Sequence, residues 1–576
     1  METSRIGLWR LVSLYPKRAL ALFGIAAVVL ALVLGLTIGL LADHGGLHKV
    51  SDPSIPRANL GYAVYRGTLV GDHVAQYLGI RYARAPVDDL RFRRPADPGI
   101  QQRGRELKAD AFGPICLGIS QPYPNAEQDE DCLYVNVWAP ANATVESKLP
   151  VWLFIQGGGY TVNSNANWNG TEVVQRSGHK ILLVNSNYRV GLWGFLAGER
   201  VRADGDLNVG LLDQRFVMRW VRRHIAQFGG DPDHVVIHGA SAGAGSVALH
   251  LLGNATDAES GKRLFVGAVG ESVFFPSQPF VSELEWQFDL TLHRAGCDDD
   301  DDAMACLRAK STEVLQAANA PAGFPGGPAT PLPLFFWTPC VDGDILRDLP
   351  YLLSKGAFHQ RARDYGEYDR RIEGTVFAAD TSTRNDTTTF LQSNYPLLSE
   401  SNTSSILERY PQMGGLPGHS AWFPSTAMAY GEATFTCPGA HILNSYARHW
   451  NSSRAWGYRY DVHDAENIAA GLGVPHIFES WAIFGPDSPS GPGGGPQSYY
   501  TYNAEVVPIM MDYWISFVRT LDPSRLRYPD APRWQSWGHA EKRLLVQTGN
   551  VSTETVSDDQ EERCAFWKTL APVMRQ

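Results

Sequence analysis

The sequence predicts an α/β protein: a large, mostly parallel central sheet flanked by helices, preceded by one N-terminal transmembrane helix. Three observations carry this. Short, nearly continuous apolar runs alternate with helical patterns, as strands buried on both faces of a parallel sheet do. After residue 57 or so no composition break divides the chain. Finally, the 24 residues from Ala19 to Ala42 carry no charge, long enough to cross a hydrocarbon core about 30 Å thick.

Taken in order, Arg5, Arg10, Lys17 and Arg18 precede that span and Asp43 follows it. The asymmetry keeps residues 1–18 in the cytosol as a tail and sends the remainder across, with 19–42 retained as a signal anchor. A cleaved signal peptide has an apolar region of roughly 7–15 residues and a small-residue cleavage site; this span is longer and has no clean site after it. Residues 43–57, DHGGLHKVSDPSIPR, read as a stalk, and 58–576 as the body. Seven N-x-S/T sequons, at Asn142, Asn169, Asn254, Asn385, Asn402, Asn451 and Asn550, all lie beyond the span, so a lumenal or extracellular, glycosylated body is expected. The net charge of -10 and a pI near 5.9 argue against a nucleic-acid surface. No metal-ligand motif is present and no cofactor is implied; the oligomeric state is left open.

Within the body, VWLFI (151–155), ILLVNSNY (181–188) and VVIHG (235–239) read as strands. Between the last two, Phe216, Val217, Trp220, Val221, Ile225 and Phe228 recur at three- and four-residue intervals, with arginines opposite, and Gly229 and Gly230 end the helix. Ser241, in VVIHGASAGAGSV, therefore follows a helix and a strand and precedes small residues that can open another helix. That is the setting of a nucleophile elbow, where side chains at 239 or 243 would collide with the neighbouring strand or helix.

A serine hydroxyl needs a base, normally histidine oriented by a carboxylate, and N–H donors for the oxyanion. The triplet Gly157, Gly158, Gly159 follows an early strand, where an oxyanion loop belongs, and glycines let amides approach a substrate closely. His476, in GLGVPHIFE, is the candidate base. Glu373, in IEGTVF, is the candidate acid, and the chain order Ser, Glu, His agrees with one serine-hydrolase arrangement.

Several motifs in fixed order resemble the type-B carboxylesterase/lipase family of the α/β-hydrolase superfamily, nearest its fungal branch because QGGG replaces the commoner HGGG. They are YLGIRYARAP with LRFRRP, EDCLYVNVWAP, FIQGGGY, NYRVGLWGFL, NVGLLDQR, FGGDP, HGASAGAGSV, EGTVF, GVPHIFE and MDYWISFVRTLDP. They span the chain from about residue 60 to the end. The resemblance implies an α/β-hydrolase fold, with Ser241 as nucleophile, His476 as base, Glu373 as orienting acid, and the amides of Gly158, Gly159 and Ala242 as oxyanion donors. It also implies disulfides Cys116–Cys132, Cys297–Cys306 and Cys437–Cys564, leaving Cys340 over. The acidic run Asp298 to Asp302 then falls inside a disulfide loop as a solvated face.

The sequence departs from that pattern where an apolar strand should lead to the acid. RARDYGEYDRR (361–371) carries seven charges in eleven residues, and burying ions costs several kcal/mol each. A surface insertion or an error in the reading frame is expected there, which puts Glu373 in doubt, with Asp380 or Asp342 as substitutes. For substrate, Ala240 before the serine and a first disulfide loop without tryptophan argue against choline esters. That loop is short and polar, so soluble short- or medium-chain esters are favoured over triglycerides, with Phe274 and Phe275 as candidates for the acyl side. The rivals are a triglyceride lipase or sterol esterase, and a catalytically silent adhesion or scaffold protein on the same fold. The silent type typically lacks the serine or the histidine, and both are present.

Overall fold

The apolar runs become neighbours in a single eleven-stranded sheet. The computed structural model describes residues 55–101, 105–164, 167–253, 255–353, 365–368, 373–488, 494–538 and 540–576. The expected tail, the anchor at 19–42, most of the stalk and Asn254 lie outside the described residues. Among the described residues no helix is long and apolar enough to cross a membrane. Pro56–Gln576 forms one compact unit.

In chain order the sheet's strands are β1 (Thr68–Val70), β2 (Val74–Arg81), β3 (Tyr134–Pro140), β4 (Leu149–Ile155), β5 (Leu182–Ser186), β6 (Gly230–Ala240), β7 (Gly267–Glu271), β8 (Tyr365–Tyr368), β9 (Ala455–Asp461), β10 (Lys542–Gln547) and β11 (Asn550–Thr555). Their spatial order is β11-β10-β9-β8-β7-β6-β4-β5-β3-β2-β1. From β5 across to β10 every pairing is parallel, and both flanks are antiparallel. The central strands are apolar on both faces because helices cover both: Val151, Leu153 and Ile155 pack into one core cluster, Trp152 and Phe154 into the other.

The periodic segment lies on helix α1 (Val209–His224). A short 3-10 turn, Ile225–Phe228, follows, and Gly229 ends it at φ +89°, while Gly230 already belongs to β6. The periodic residues Val217, Trp220, Val221, Ile225 and Phe228 are buried as expected. Arg189, just after β5, forms a buried ion pair with Asp213 of α1 through Nε (2.8 Å) and Nη2 (2.7 Å). Removing one partner of such a pair costs about 3–5 kcal/mol, because the other is left buried and unpaired. This accounts for Arg189 inside NYRVG and Asp213 inside LLDQR.

The expectation for residues 361–371 is corrected. Tyr365–Tyr368 is strand β8, parallel to β7 on one side and β9 on the other, in register Ala268↔Tyr365 and Tyr365↔Ala455. The physical reason lies in which residues pair: the strand takes YGEY, with one charge, and the arginine- and aspartate-rich flanks at 361–364 and 369–371 lie outside the described residues. A parallel strand is thus present a few residues before Glu373.

The second helix, α2 (Ala242–Leu252), is buried along its whole length. It is fastened to α1 by a polar chain: Gln214 Nε2 donates to Ser246 Oγ (3.0 Å), and Gln214 Oε1 faces His250 Nε2 (2.9 Å). His250 Nδ1 is buried without a partner, and burial, followed by the nearby Arg215 charge, holds the imidazole well below its ordinary range. The sign follows from linkage: the unfolded chain takes up this proton below about pH 6.5 and the folded one does not, so stability falls as pH drops through that region. Thermal melts should therefore show wild type losing more stability between pH 7 and pH 5 than His250→Gln does. Parallel curves would contradict this assignment.

Candidate active site

Ser241 sits between the end of β6 and the first turn of α2 with φ +57° and ψ −123°, a region that side chains other than glycine rarely occupy and that costs of order 1–3 kcal/mol. Its N–H donates to the Glu271 carbonyl (2.8 Å), which holds the turn. A Cβ at Gly239 would overlap the Gly243 backbone, and one at Gly243 would overlap the Ile155 carbonyl. The two glycines flanking the serine are thus required by close approach, as the sequence predicts.

The loop after β4 crosses directly over this turn: a Cβ at Gly157 would stand 2.9 Å from Ser241 Cβ. Gly158 and Gly159 have φ +113° and +62°. Among the described residues no acceptor meets either amide, while Thr161 and Val162 donate to the Gly158 carbonyl (3.0 Å each) and fix the loop. Ala242 opens α2, where helix geometry leaves its N–H without an intrahelical partner. These are the donors a developing oxyanion requires.

His476 Nδ1 lies 2.6 Å from Glu373 Oε1, with side-chain exposures of 6% and 1%. A proton shared with that carboxylate stays on Nδ1, leaving the Nε2 lone pair free to act as base. Nε2 is buried with no partner among the described residues. The hydrogen bond to Ser241 Oγ is therefore not made in this state; such bonds often tighten only when substrate is bound. Glu373 opens the 3-10 turn Glu373–Val376, and Gly374 packs closely against the backbone of helix Phe423–Gly431.

An aromatic cluster joins His476 to the loop after β4. The His476 ring contacts Phe377 (4.9 Å between centroids) and Phe435 (4.6 Å). Phe377 contacts Phe335 (5.8 Å), and the Phe335 ring fills the space beside Gly159. Phe274 joins through Phe335 (4.6 Å) and Phe435 (5.3 Å). Phe275 does not: it packs against Tyr351 and receives a bond from the Gln576 amide, so its expected acyl-side place is corrected. No spacing rule in the sequence marks Phe335, Phe377 or Phe435 as neighbours of His476. Only Phe377 carried a signal, as the last residue of EGTVF.

The alternatives for the acid stand elsewhere. Asp380 is exposed and accepts from Ser420 N (2.7 Å) and Oγ (3.0 Å). Asp342 accepts from Asn208 Nδ2 (2.7 Å) and caps the following turn. The three disulfides form as implied, and Cys340 is free and buried, its thiol pushed upward by desolvation. Asp298–Asp302 is exposed. Of the sequon asparagines with described side chains, Asn142, Asn385 and Asn550 are exposed, and Asn169 and Asn402 partly so.

A family model described as "Carboxylesterase family" matches residues 61–567. The chain belongs to the carboxylesterase family. Among its relatives, Lipase 2 of Geotrichum candidum is 34% identical over 526 residues, covering 81% of this chain and 88% of that protein. Acetylcholinesterase of Bungarus fasciatus is 27% identical, covering 93% and 88%. The crystal structure of Aspergillus niger EstA superposes with a TM-score of 0.88 at 46% identity, covering 91% of this chain and all of that one. This carboxylesterase has the α/β-hydrolase fold and is a carboxylic-ester hydrolase.

The geometry separates the candidate acids sharply. Glu373→Gln in this carboxylesterase should lower kcat by about 10²–10⁴-fold with little change in KM, because the imidazole loses its correct tautomer. Asp380→Asn should leave both within twofold. Steady-state kinetics on a soluble ester checks the pair, and the reverse ranking would reassign the acid.

Proposed function

We propose that this protein hydrolyses short- or medium-chain carboxylic esters through an acyl-enzyme on Ser241, from a body anchored to a membrane by residues 19–42 and facing the lumen or the outside. The observation that carries the chemistry is the Glu373–His476 contact of 2.6 Å with Nε2 left open, beside a serine held in a strained elbow. His476 takes the serine proton as Oγ attacks the ester carbonyl and returns it to the leaving alcohol. Water then repeats the cycle on the acyl-enzyme. The amides of Gly158, Gly159 and Ala242 receive the oxyanion in each step, a contribution of about 10²–10³ in turnover per donor. The intact pair also argues against a silent scaffold.

Two features support a soluble, modest acyl group. Phe335, lying against Gly159 within the phenylalanine cluster, walls the space beside the oxyanion loop. The first disulfide loop is pinned rather than lid-like: Gln316 Nε2 donates to the carbonyls of Gly118 (2.7 Å) and Gln121 (3.0 Å), and Ser120 N–H donates to the Asn319 carbonyl (2.9 Å). The second reading is a lipase acting on water-insoluble esters, favoured by the similarity to Lipase 2 of Geotrichum candidum. The anchor and compartment rest on the charge-free span with its basic flank and on the downstream sequons.

Hydrolysis of p-nitrophenyl esters of graded acyl length by the full chain, beside Ser241→Ala, tests this. Rates should peak at short or medium chains, with no jump above the solubility limit, and fall at least ~10⁴-fold in the variant. The activity should sediment with membranes and be released by detergent. Equal rates in both proteins would overturn the hydrolase reading; a jump at the solubility limit would favour the lipase; activity in the soluble fraction would overturn the anchor.

A further inference from the structure

Behind the nucleophile lies a polar network that the hydrolytic cycle above does not use. His238, three residues before Ser241 on β6, and Glu271, the last residue of β7, are both 0% exposed. His238 Nε2 lies 2.6 Å from Glu271 Oε1, a close contact set off the ideal hydrogen-bond line. The indole N–H of Trp152 donates to His238 Nδ1 (3.0 Å). An indole N–H can only donate, so Nδ1 must accept and the ring proton sits on Nε2, facing the carboxylate. The second oxygen, Glu271 Oε2, accepts from Ser480 Oγ (2.7 Å).

Buried polar groups are costly unless satisfied, so this network calls for a role. Its position supplies one. The main-chain carbonyl of Glu271 receives the Ser241 N–H (2.8 Å), while its carboxylate holds Ser480. Ser480 begins the helix Ser480–Phe484, four residues after His476. From the other end of that helix the Phe484 ring stacks on His238, 5.6 Å between centroids at 15°. The segment between the base and this helix includes Ile477 at φ +54° and the bond from Ser480 N–H to the Ile477 carbonyl (3.1 Å), so a shift of the helix is passed to His476 over a short, bent stretch.

We infer that Glu271 is a positioning residue, seated by His238, which sets the nucleophile turn and the histidine loop against each other: its carbonyl holds Ser241 and its carboxylate holds Ser480. The inference deepens the hydrolase reading and rests on it. Reacting groups misplaced by 1 Å can cost about 10²-fold in rate, so the network acts on kcat, and substrate binding is untouched.

Ser480→Ala tests it by removing the link to the histidine loop while leaving the Glu271 carbonyl and the His238 contact in place. The expected result is a kcat lowered by about tenfold or more with KM within twofold of wild type, and most of the loss recovered in Ser480→Thr, which restores the hydroxyl. Ser480→Cys, close in volume but a weak donor, replaces the alanine variant if that one melts early, and is expected to lose about fivefold or more. A kcat within twofold of wild type in the folded variant overturns the inference, as does a failure of threonine to recover activity, which would assign the effect to packing. These outcomes are separate from failure of the hydrolase reading, in which wild type itself lacks esterase activity.

Discussion

The structure depends on one strained turn. Ser241 occupies a backbone conformation that side chains other than glycine avoid, and it stays there because everything around it is already in contact. Gly243 has no room for a Cβ beneath the Ile155 carbonyl, and Gly239 none against the Gly243 backbone. The strain is offset by the burial of α2 and by the parallel strands on either side, β4 and β7, whose ends deliver the oxyanion loop and the Glu271 carbonyl. A large apolar sheet holds this one strained residue at the carboxyl end of a central strand.

Once the turn is fixed, the remaining chemistry is a matter of ordering rather than of strong forces. A hydroxyl, an imidazole and a carboxylate are ordinary groups, and in the proposed mechanism their reactivity comes from the tautomer that Glu373 enforces and from exclusion of water. The phenylalanines around His476 lower the local dielectric, so the single 2.6 Å contact to Glu373 counts for more than it would at a surface. The loop after β4 is held by bonds to the Gly158 carbonyl, and among the described residues the amides of Gly158 and Gly159 meet no acceptor. Fold and site are coupled through main-chain contacts, which is why the glycines matter as much as the three side chains.

Much of this was legible in the sequence because it is written in local patterns. Apolar runs gave the strands, three- and four-residue periodicity gave α1, and glycines at fixed offsets marked both the elbow and the oxyanion loop. The candidate acid and base were legible only through motifs, since nothing local distinguishes Glu373 from Asp380; what favours Glu373 is a contact across 103 positions of chain. The charged segment before Glu373 misled because charge was averaged over eleven residues, whereas the described strand, Tyr365–Tyr368, carries one. The aromatic cluster and the His238–Glu271–Ser480 network stayed hidden because their members come from distant elements and have no spacing rule.

The central claim is that the strained serine is the nucleophile and that His476 activates it. Reaction of the full chain with a p-nitrophenyl phosphonate, followed by peptide mass spectrometry, measures this directly. The account predicts one adduct per chain, on Ser241, with labelling strongly slowed in His476→Ala. An adduct on any other residue, or equal labelling rates with and without the imidazole, would contradict it.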